Sequence, residues 1–213
     1  MIDHNLYVSP VQASQALITH ILEAMDKEPE RPFTIALSGG TTPATLFEVW
    51  EREYAAYTPW PRIYFYWVDE RCVPPASHCY RIVGEGAPEE EAKQYSSIVK
   101  TTVPTMDGVP VFDFVLLGIG EDGHTSSIFP DRQELLTAGE PYEVSVNPYN
   151  KTVRICMTGR PLIEARHTCF LVTGENKCSI LKEILDKNKE EVYPASYIWH
   201  HARNPQLYAS LVS

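Results

Sequence analysis

Residues 63–68 read Ile-Tyr-Phe-Tyr-Trp-Val, apolar and aromatic at every position. Successive side chains of a β-strand point to opposite faces, so a strand of this composition leaves no face for water. It must lie in a sheet covered on both sides. Phe33–Leu37 and Phe112–Leu117 are two more short apolar runs of the same kind.

Helical spacing fills the intervals. Ala13, Leu17, Ile21, Leu22 and Met25 predict an amphipathic helix over 11–27. Thr42 as N-cap and Pro43 at the first helical position open a second, from Ala44 to about Tyr57, with Leu46, Phe47, Trp50 and Tyr54 inward. A Pro-rich loop and an acidic segment around Glu89–Glu91 separate the second and third strands. Lys151–Met157 and Cys169–Val172 read as further strands bracketing a short helix at Pro161–Arg166. A last helix turns Ile180, Leu181, Ile184 and Leu185 inward. Strands alternating with helices specify an α/β fold: a three-layer sandwich, a mostly parallel Rossmann-like sheet flanked by helices on both faces. No repeat or linker divides the chain, so residues 1–213 are expected to form a single domain.

Charge narrows the partners. Eighteen basic against 28 acidic residues leave a net charge of −10. Such a field repels nucleic acid and anionic membrane surfaces, so an anionic ligand would need a local cluster working against it. No apolar run approaches the roughly 18 residues of a membrane helix, and Met-Ile-Asp-His-Asn lacks the start of a secretion signal. Five cysteines (Cys72, Cys79, Cys156, Cys169 and Cys178) without C-x-x-C spacing fit a reducing cytoplasm. Neither Cys72–His78–Cys79 nor His200–His201 has the spacing of a zinc module, so no metal is expected.

Four polar clusters each follow directly on a predicted strand, the edge at which open α/β sheets bind ligands. Ser38-Gly39-Gly40-Thr41-Thr42 forms a glycine turn before a helix, suited to a phosphate or carboxylate, or simply a tight connection. It is neither a Walker A nor a dinucleotide fingerprint. In Asp69-Glu70-Arg71, Arg71 either pairs with its acidic neighbours or clamps an anion with its fork of donors. Gly118 to Thr125 surrounds Asp122 and His124 with flexible positions. Histidine suits proton transfer near neutral pH, and Asp122 is placed to hold one ring nitrogen and leave the other as base. His4, His20, His78, His167, His200 and His201 have no such setting and are read as structural. Lys177 opens a predicted helix, where the macrodipole disfavours a cation unless an anion lies beside it. No G-x-S-x-G nucleophile elbow occurs.

On these residues the chain resembles the 6-phosphogluconolactonases, within the superfamily of glucosamine-6-phosphate deaminases and ribose-5-phosphate isomerases. The matching segments are Ala36–Pro43, Asp69-Glu70-Arg71 with Val73-Pro74, Gly118–Pro130, Arg154 to Ala165, Gly174–Lys177 and Pro194-Ala195-Ser196. The resemblance implies hydrolysis of 6-phospho-D-glucono-1,5-lactone in the pentose phosphate pathway without cofactor. It implies His124 as the base activating water beside Asp122. Ser38, Gly39, Gly40, Thr41, Asp69, Arg71 and Lys177 would bind the substrate, Arg71 and Lys177 holding its phosphate. The deaminases look like D-E-Y where this chain has Asp69-Glu70-Arg71, and they follow D-G-H with an isoleucine; this chain has neither feature. Two departures stand out. Ser77–Arg81 is shorter than the family's segment, with Cys79 near an expected asparagine, and the chain ends at Ser213, about where a last family helix would begin. A phosphosugar deaminase or isomerase, and a non-catalytic phosphosugar sensor, are the competing readings; a sensor would not need Asp122 and His124. A monomer or homodimer is expected.

Overall fold

In the computed structural model, which describes residues 4–39, 42–69, 79–82 and 86–212, the chain opens with β1 (His4–Leu6) and α1 (Pro10–Lys27). Ser9 caps α1, its side chain accepting from Gln12 N at 3.2 Å, and Pro10 supplies the preset first turn. Ala13, Leu17, Ile18, Ile21 and Met25 form its buried stripe. Next come β2 (Phe33–Leu37), α2 (Thr42–Val49) and β3 (Ile63–Trp67). Helical backbone ends at Tyr54, three residues short of expectation. Its last turn, Trp50–Tyr54, widens to a π-helix around the buried Trp50, whose indole N–H donates to Thr58 Oγ1 at 2.9 Å.

The acidic segment is the first turn of a helix not anticipated from sequence, α3 (Pro88–Thr102). Three glutamates at its N-terminus complement the macrodipole, and Ala92, Tyr95, Ser96 and Val99 turn inward. A small hairpin of β4 (Thr105–Met106) and β5 (Val109–Pro110) precedes β6 (Phe114–Leu117). β7 (Tyr142–Val146) and β8 (Val153–Met157) follow, then α4 (Gly159–Glu164), β9 (His167–Thr173), α5 (Cys178–Leu185), α6 (Pro194–His201) and β10 (Pro205–Ser210).

Six strands form one sheet in the order β1-β10-β9-β6-β2-β3, parallel at every pairing. The strand expected at Lys151–Met157 is real but lies outside this sheet, because β8 pairs antiparallel with β7. Right-handed crossovers set the layers. Connections moving toward β3 put α1 and α2 on one face, where they pack together; those moving toward β1 put α3 to α6 on the other. The α/β sandwich expected from the sequence is the fold observed. Among the described residues no helix is long and apolar enough to cross a membrane.

The topology also locates a crevice. β2 feeds rightward through α2 to β3, whereas its neighbour β6 feeds leftward toward β9. Adjacent strands whose connections part in opposite directions leave an opening at their carboxyl ends.

Candidate active site

A cavity of about 410 Å3 occupies that crevice, a volume suited to a small metabolite. Ser38, Gly39 and Pro43 line it from the end of β2, and Asp69 from the end of β3. Gly118 to Gly120 and His124 to Ser127 line it from β6, with Thr173, Asn176 and Lys177 from β9. Described members of all four strand-end clusters thus meet in one place. Of the expected site residues, Ser38, Gly39, Asp69, His124 and Lys177 border the cavity. Asp122 stands behind His124 and borders an outer recess with Gly120, Glu121, His124, Tyr149 and Lys177. Gly40, Thr41 and Arg71 lie outside the described residues, as do His78 and the other members of the 70–78 segment.

The loop after β6 is built around His124. Gly120 N donates to His124 O at 2.9 Å, Gly123 N to Gly120 O at 3.0 Å, and Thr125 Oγ1 to Gly118 O at 2.9 Å. Ala195 N, at the start of α6, ties the loop down through Gly123 O at 3.0 Å. Gly123 has φ +78°, and a side chain there would also strike Tyr193. At Gly120 a methyl group would fall on His124 Nδ1 and Asp122 Oδ1.

That spacing lets Asp122 Oδ1 take His124 Nδ1 at 2.5 Å and His124 N at 3.2 Å. Burial on its own would raise the Asp122 carboxyl, but the hydrogen bonds and charge of His124, aided by Tyr149, hold it down at about 2. The aspartate is therefore ionised throughout the physiological range. With Nδ1 engaged, Nε2 is the nitrogen left for chemistry, and it has no protein partner among the described residues. The imidazole packs on Phe129, ring centres 4.6 Å apart.

Other details depart from the simple picture of an anion cradle. Gly39 N is directed at Asp69 Oδ1, 3.4 Å away, and Ser38 N bonds Leu116 O at 3.0 Å. Those two amides stitch strand ends together. Asp69 also accepts from Ser127 Oγ at 2.8 Å and lies 4.0 Å from Arg154 Nη1. Lys177 ends the 3-10 turn Glu175–Lys177 and occupies the N-cap position of α5, just ahead of the first turn. Ser126 and Ser127 have φ +54° and +55°, a conformation that costs a non-glycine residue roughly 1 kcal/mol or more. Bonds from Ser126 Oγ to Met157 O at 2.7 Å and from Ser145 Oγ to Ser127 O at 2.7 Å hold them there.

Tyr149 was not anticipated. It sits between β7 and β8, and its hydroxyl donates to Asp122 Oδ2 at 2.9 Å. Nothing local in the sequence signals a contact across 27 residues.

Comparison with known proteins settles the family. The model for glucosamine-6-phosphate isomerases/6-phosphogluconolactonase matches residues 9–78 and 75–208. The chain belongs to this family. Among its relatives, the 6-phosphogluconolactonase of Treponema pallidum is 36% identical over 171 residues, 70% of this chain and 71% of that protein. The 6-phosphogluconolactonase of Haemophilus influenzae is 34% identical over 190 residues, 78% and 80% of the two chains. The crystal structure of the devB protein, 30% identical, superposes with a TM-score of 0.88 over 98% of this chain and 96% of its own.

Proposed function

We propose that the cavity at the carboxyl ends of β2 and β6 is where this chain hydrolyses 6-phospho-D-glucono-1,5-lactone, with His124 as general base. Lactone hydrolysis in the pentose phosphate pathway is the activity of the chain, in keeping with its 6-phosphogluconolactonase relatives. The observation that carries the assignment of roles is the His124–Asp122 pair. An ionised carboxylate on Nδ1 fixes the ring, keeps the proton on that nitrogen, and leaves Nε2 able to accept one.

The reaction then needs few parts. Water attacks the lactone carbonyl carbon while Nε2 takes its proton. The tetrahedral oxyanion collapses, the bond from that carbon to the ring oxygen breaks, and the imidazolium returns the proton to the leaving oxygen. The product is the open-chain acid. Lys177, with Arg71 and the Gly40–Thr41 part of the turn, supplies the local positive character that an acidic protein needs to hold a phosphate, while Ser38 and Gly39 line the cavity with amides already spent on Leu116 O and Asp69. Asp69 joins the substrate side of the cavity while bracing Gly39 and Ser127. One carbon–oxygen bond forms, another breaks and no carbon changes oxidation state, so the scheme calls for no redox cofactor. The enzyme acts in the cytoplasm as one domain, alone or as a homodimer.

The test is to generate the phosphorylated lactone in situ and follow its loss above the spontaneous rate. Wild type accelerates it, and His124→Ala loses about 10²- to 10⁴-fold in kcat with an unchanged circular dichroism spectrum. Near-normal turnover by His124→Ala would remove His124 from the chemistry.

A further inference from the structure

Tyr149 is conspicuous because ordinary packing does not account for it. The residue is 71% exposed, so hydrophobic burial gives it little reason to hold one place. Yet its backbone is pinned. Asn147 Oδ1 accepts from Tyr149 N at 2.9 Å and Asn150 N at 3.3 Å, while Asn147 N bonds Thr152 O at 2.9 Å. Lys151, at φ +60°, closes the turn by donating its N–H to Asn147 O at 2.9 Å. The hairpin tip is thereby shaped to deliver one phenol hydroxyl to one carboxylate oxygen, Asp122 Oδ2, at 2.9 Å.

We infer that Tyr149 is a positioning residue for the base, acting on His124 through Asp122; the inference rests on the reading of His124 given above. The last torsion of an aspartate side chain is broad, so a carboxylate held by one oxygen swivels. Here both oxygens are engaged, Oδ1 by His124 and Oδ2 by Tyr149. The carboxylate plane is set from two elements distant in sequence, and the imidazole is aimed with it.

The contact has an electrostatic side as well. A phenol donating to Oδ2 draws charge away from Oδ1, which weakens the stabilisation of an imidazolium at His124. The bond leaves its mark on Tyr149, whose hydroxyl is made harder to ionise by the carboxylate it serves. Other charged groups around the pair are Glu121 on the same loop, bonded to Asn176 Nδ2 at 2.6 Å, and Lys177 ahead of α5. Asp131 lies near Tyr149, and Asp69 lines the cavity from the end of β3. None of these touches Oδ2, so removing the phenol hydroxyl changes one contact alone.

The experiment is the pH dependence of kcat/KM for lactone hydrolysis in wild type, Tyr149→Phe, Tyr149→Ala and His124→Ala. Tyr149→Phe keeps the ring as a wall of the outer recess and deletes only the hydrogen bond. Its kcat/KM is expected to fall roughly five- to tenfold, and its acid limb to move to higher pH. Tyr149→Ala should show the same displaced limb. An unmoved acid limb in Tyr149→Phe overturns the inference, whether or not the rate falls. So does a normal Tyr149→Phe beside an impaired Tyr149→Ala, since the ring would then be only a wall. The reading of His124 fails separately: if His124→Ala retains turnover, both ideas fall, and if it is inactive while Tyr149→Phe matches wild type, only this one does.

Discussion

The two ends of the central sheet use the same kinds of residue to opposite effect. At the amino end, Asp113 just before β6 is 3% exposed and is enclosed by donors. It accepts from Thr34 N at 2.8 Å, Thr34 Oγ1 at 3.1 Å, and Arg31 Nη1 and Nη2 at 2.9 and 2.6 Å. Arg166 approaches it at 3.5 Å, Glu28 also binds Arg31, and Arg62 caps Glu28 O at 2.7 Å. Its histidines are packed as aromatic rings: His167 stacks on Phe114 with centres 4.4 Å apart, and His20 meets His167 edge-on at 4.7 Å. At the carboxyl end, Asp122 and His124 also pair, but over an open cavity and on a loop that needs positive φ at Gly123, Ser126 and Ser127. An aspartate surrounded by protein donors is a staple. On the proposed reading, one that holds a histidine over a cavity is equipment for chemistry, and the backbone strain beside it is supported by the rest of the sheet.

If that contrast holds, a minimal change at the carboxyl end should cost activity and little stability. Gly120→Ala adds one methyl where His124 Nδ1 and Asp122 Oδ1 now sit. Both are side-chain atoms that can swing away, so the fold survives while the base loses its aim. Displacements of about 1 Å from productive geometry cost up to roughly 10²-fold, and kcat should fall by about that much with the melting temperature nearly unchanged. A Gly120→Ala enzyme with full kcat would mean that the tight Asp122–His124 spacing is not needed.

The same contrast explains what the sequence exposes and what it conceals. β2, β3 and β6 were legible because burial on both faces leaves apolar runs. β10 hides its burial under Pro-Gln-Leu-Tyr-Ala-Ser: its Ser210 is fully buried, and Gln206 is bonded by Tyr208. α3 escaped notice because its inward face mixes Ala92 and Ser96 with Tyr95 and Val99, and Ser96 Oγ is spent on Tyr142 O at 3.3 Å. Within the site, Asp122 and His124 were readable as sequence neighbours on a glycine-rich loop. Tyr149 was not, since an exposed tyrosine in a turn looks like any other surface residue. Ser38 and Gly39 stand where expected, but their amides join strands, a use that spacing cannot reveal.

At the amino end the opposite trade is expected. Asp113→Ala leaves the buried Thr34 N without its acceptor and takes from Arg31 one of the two carboxylates that hold it, the other being Glu28. Removing one partner of such a pair costs about 3 kcal/mol or more, roughly 6–12 °C in Tm for a chain of this size. At 25 °C kcat should stay within about twofold, because the cavity is at the far end of every strand. Thermal melts and lactone assays on the same preparation decide this. A large loss of kcat without a loss of Tm would break the division between the two ends.

The smallest effect sharpens the comparison between histidines. Burial, with a further push from His20 and from Lys27 and Arg166, lowers His167 to about 4, against the attraction of Asp113. His20 is lowered too, again by burial first, with Glu23 opposing and Lys27 assisting. The unfolded chain therefore takes up a proton at His167 near pH 6.5, while the folded chain resists until about pH 4. Stability is held above pH 6.5 and drains away as pH falls from there toward 4. His167→Gln can keep the contact with Asn204, which now lies 2.9 Å from Nδ1, and cannot titrate. Denaturant midpoints measured from pH 7.5 to 4 should fall less steeply for this variant, with His20 and the carboxylates held low by their partners, Glu28, Glu53, Asp122 and Glu134, supplying the residual slope. The acid limb of its kcat/KM should coincide with that of wild type, because His167 lies at the opposite end of the sheet from the cavity. An equal slope in the two proteins would mean that the amino-end histidine is not what makes the fold acid-sensitive. A displaced kinetic limb would mean that the two ends of the sheet are coupled after all.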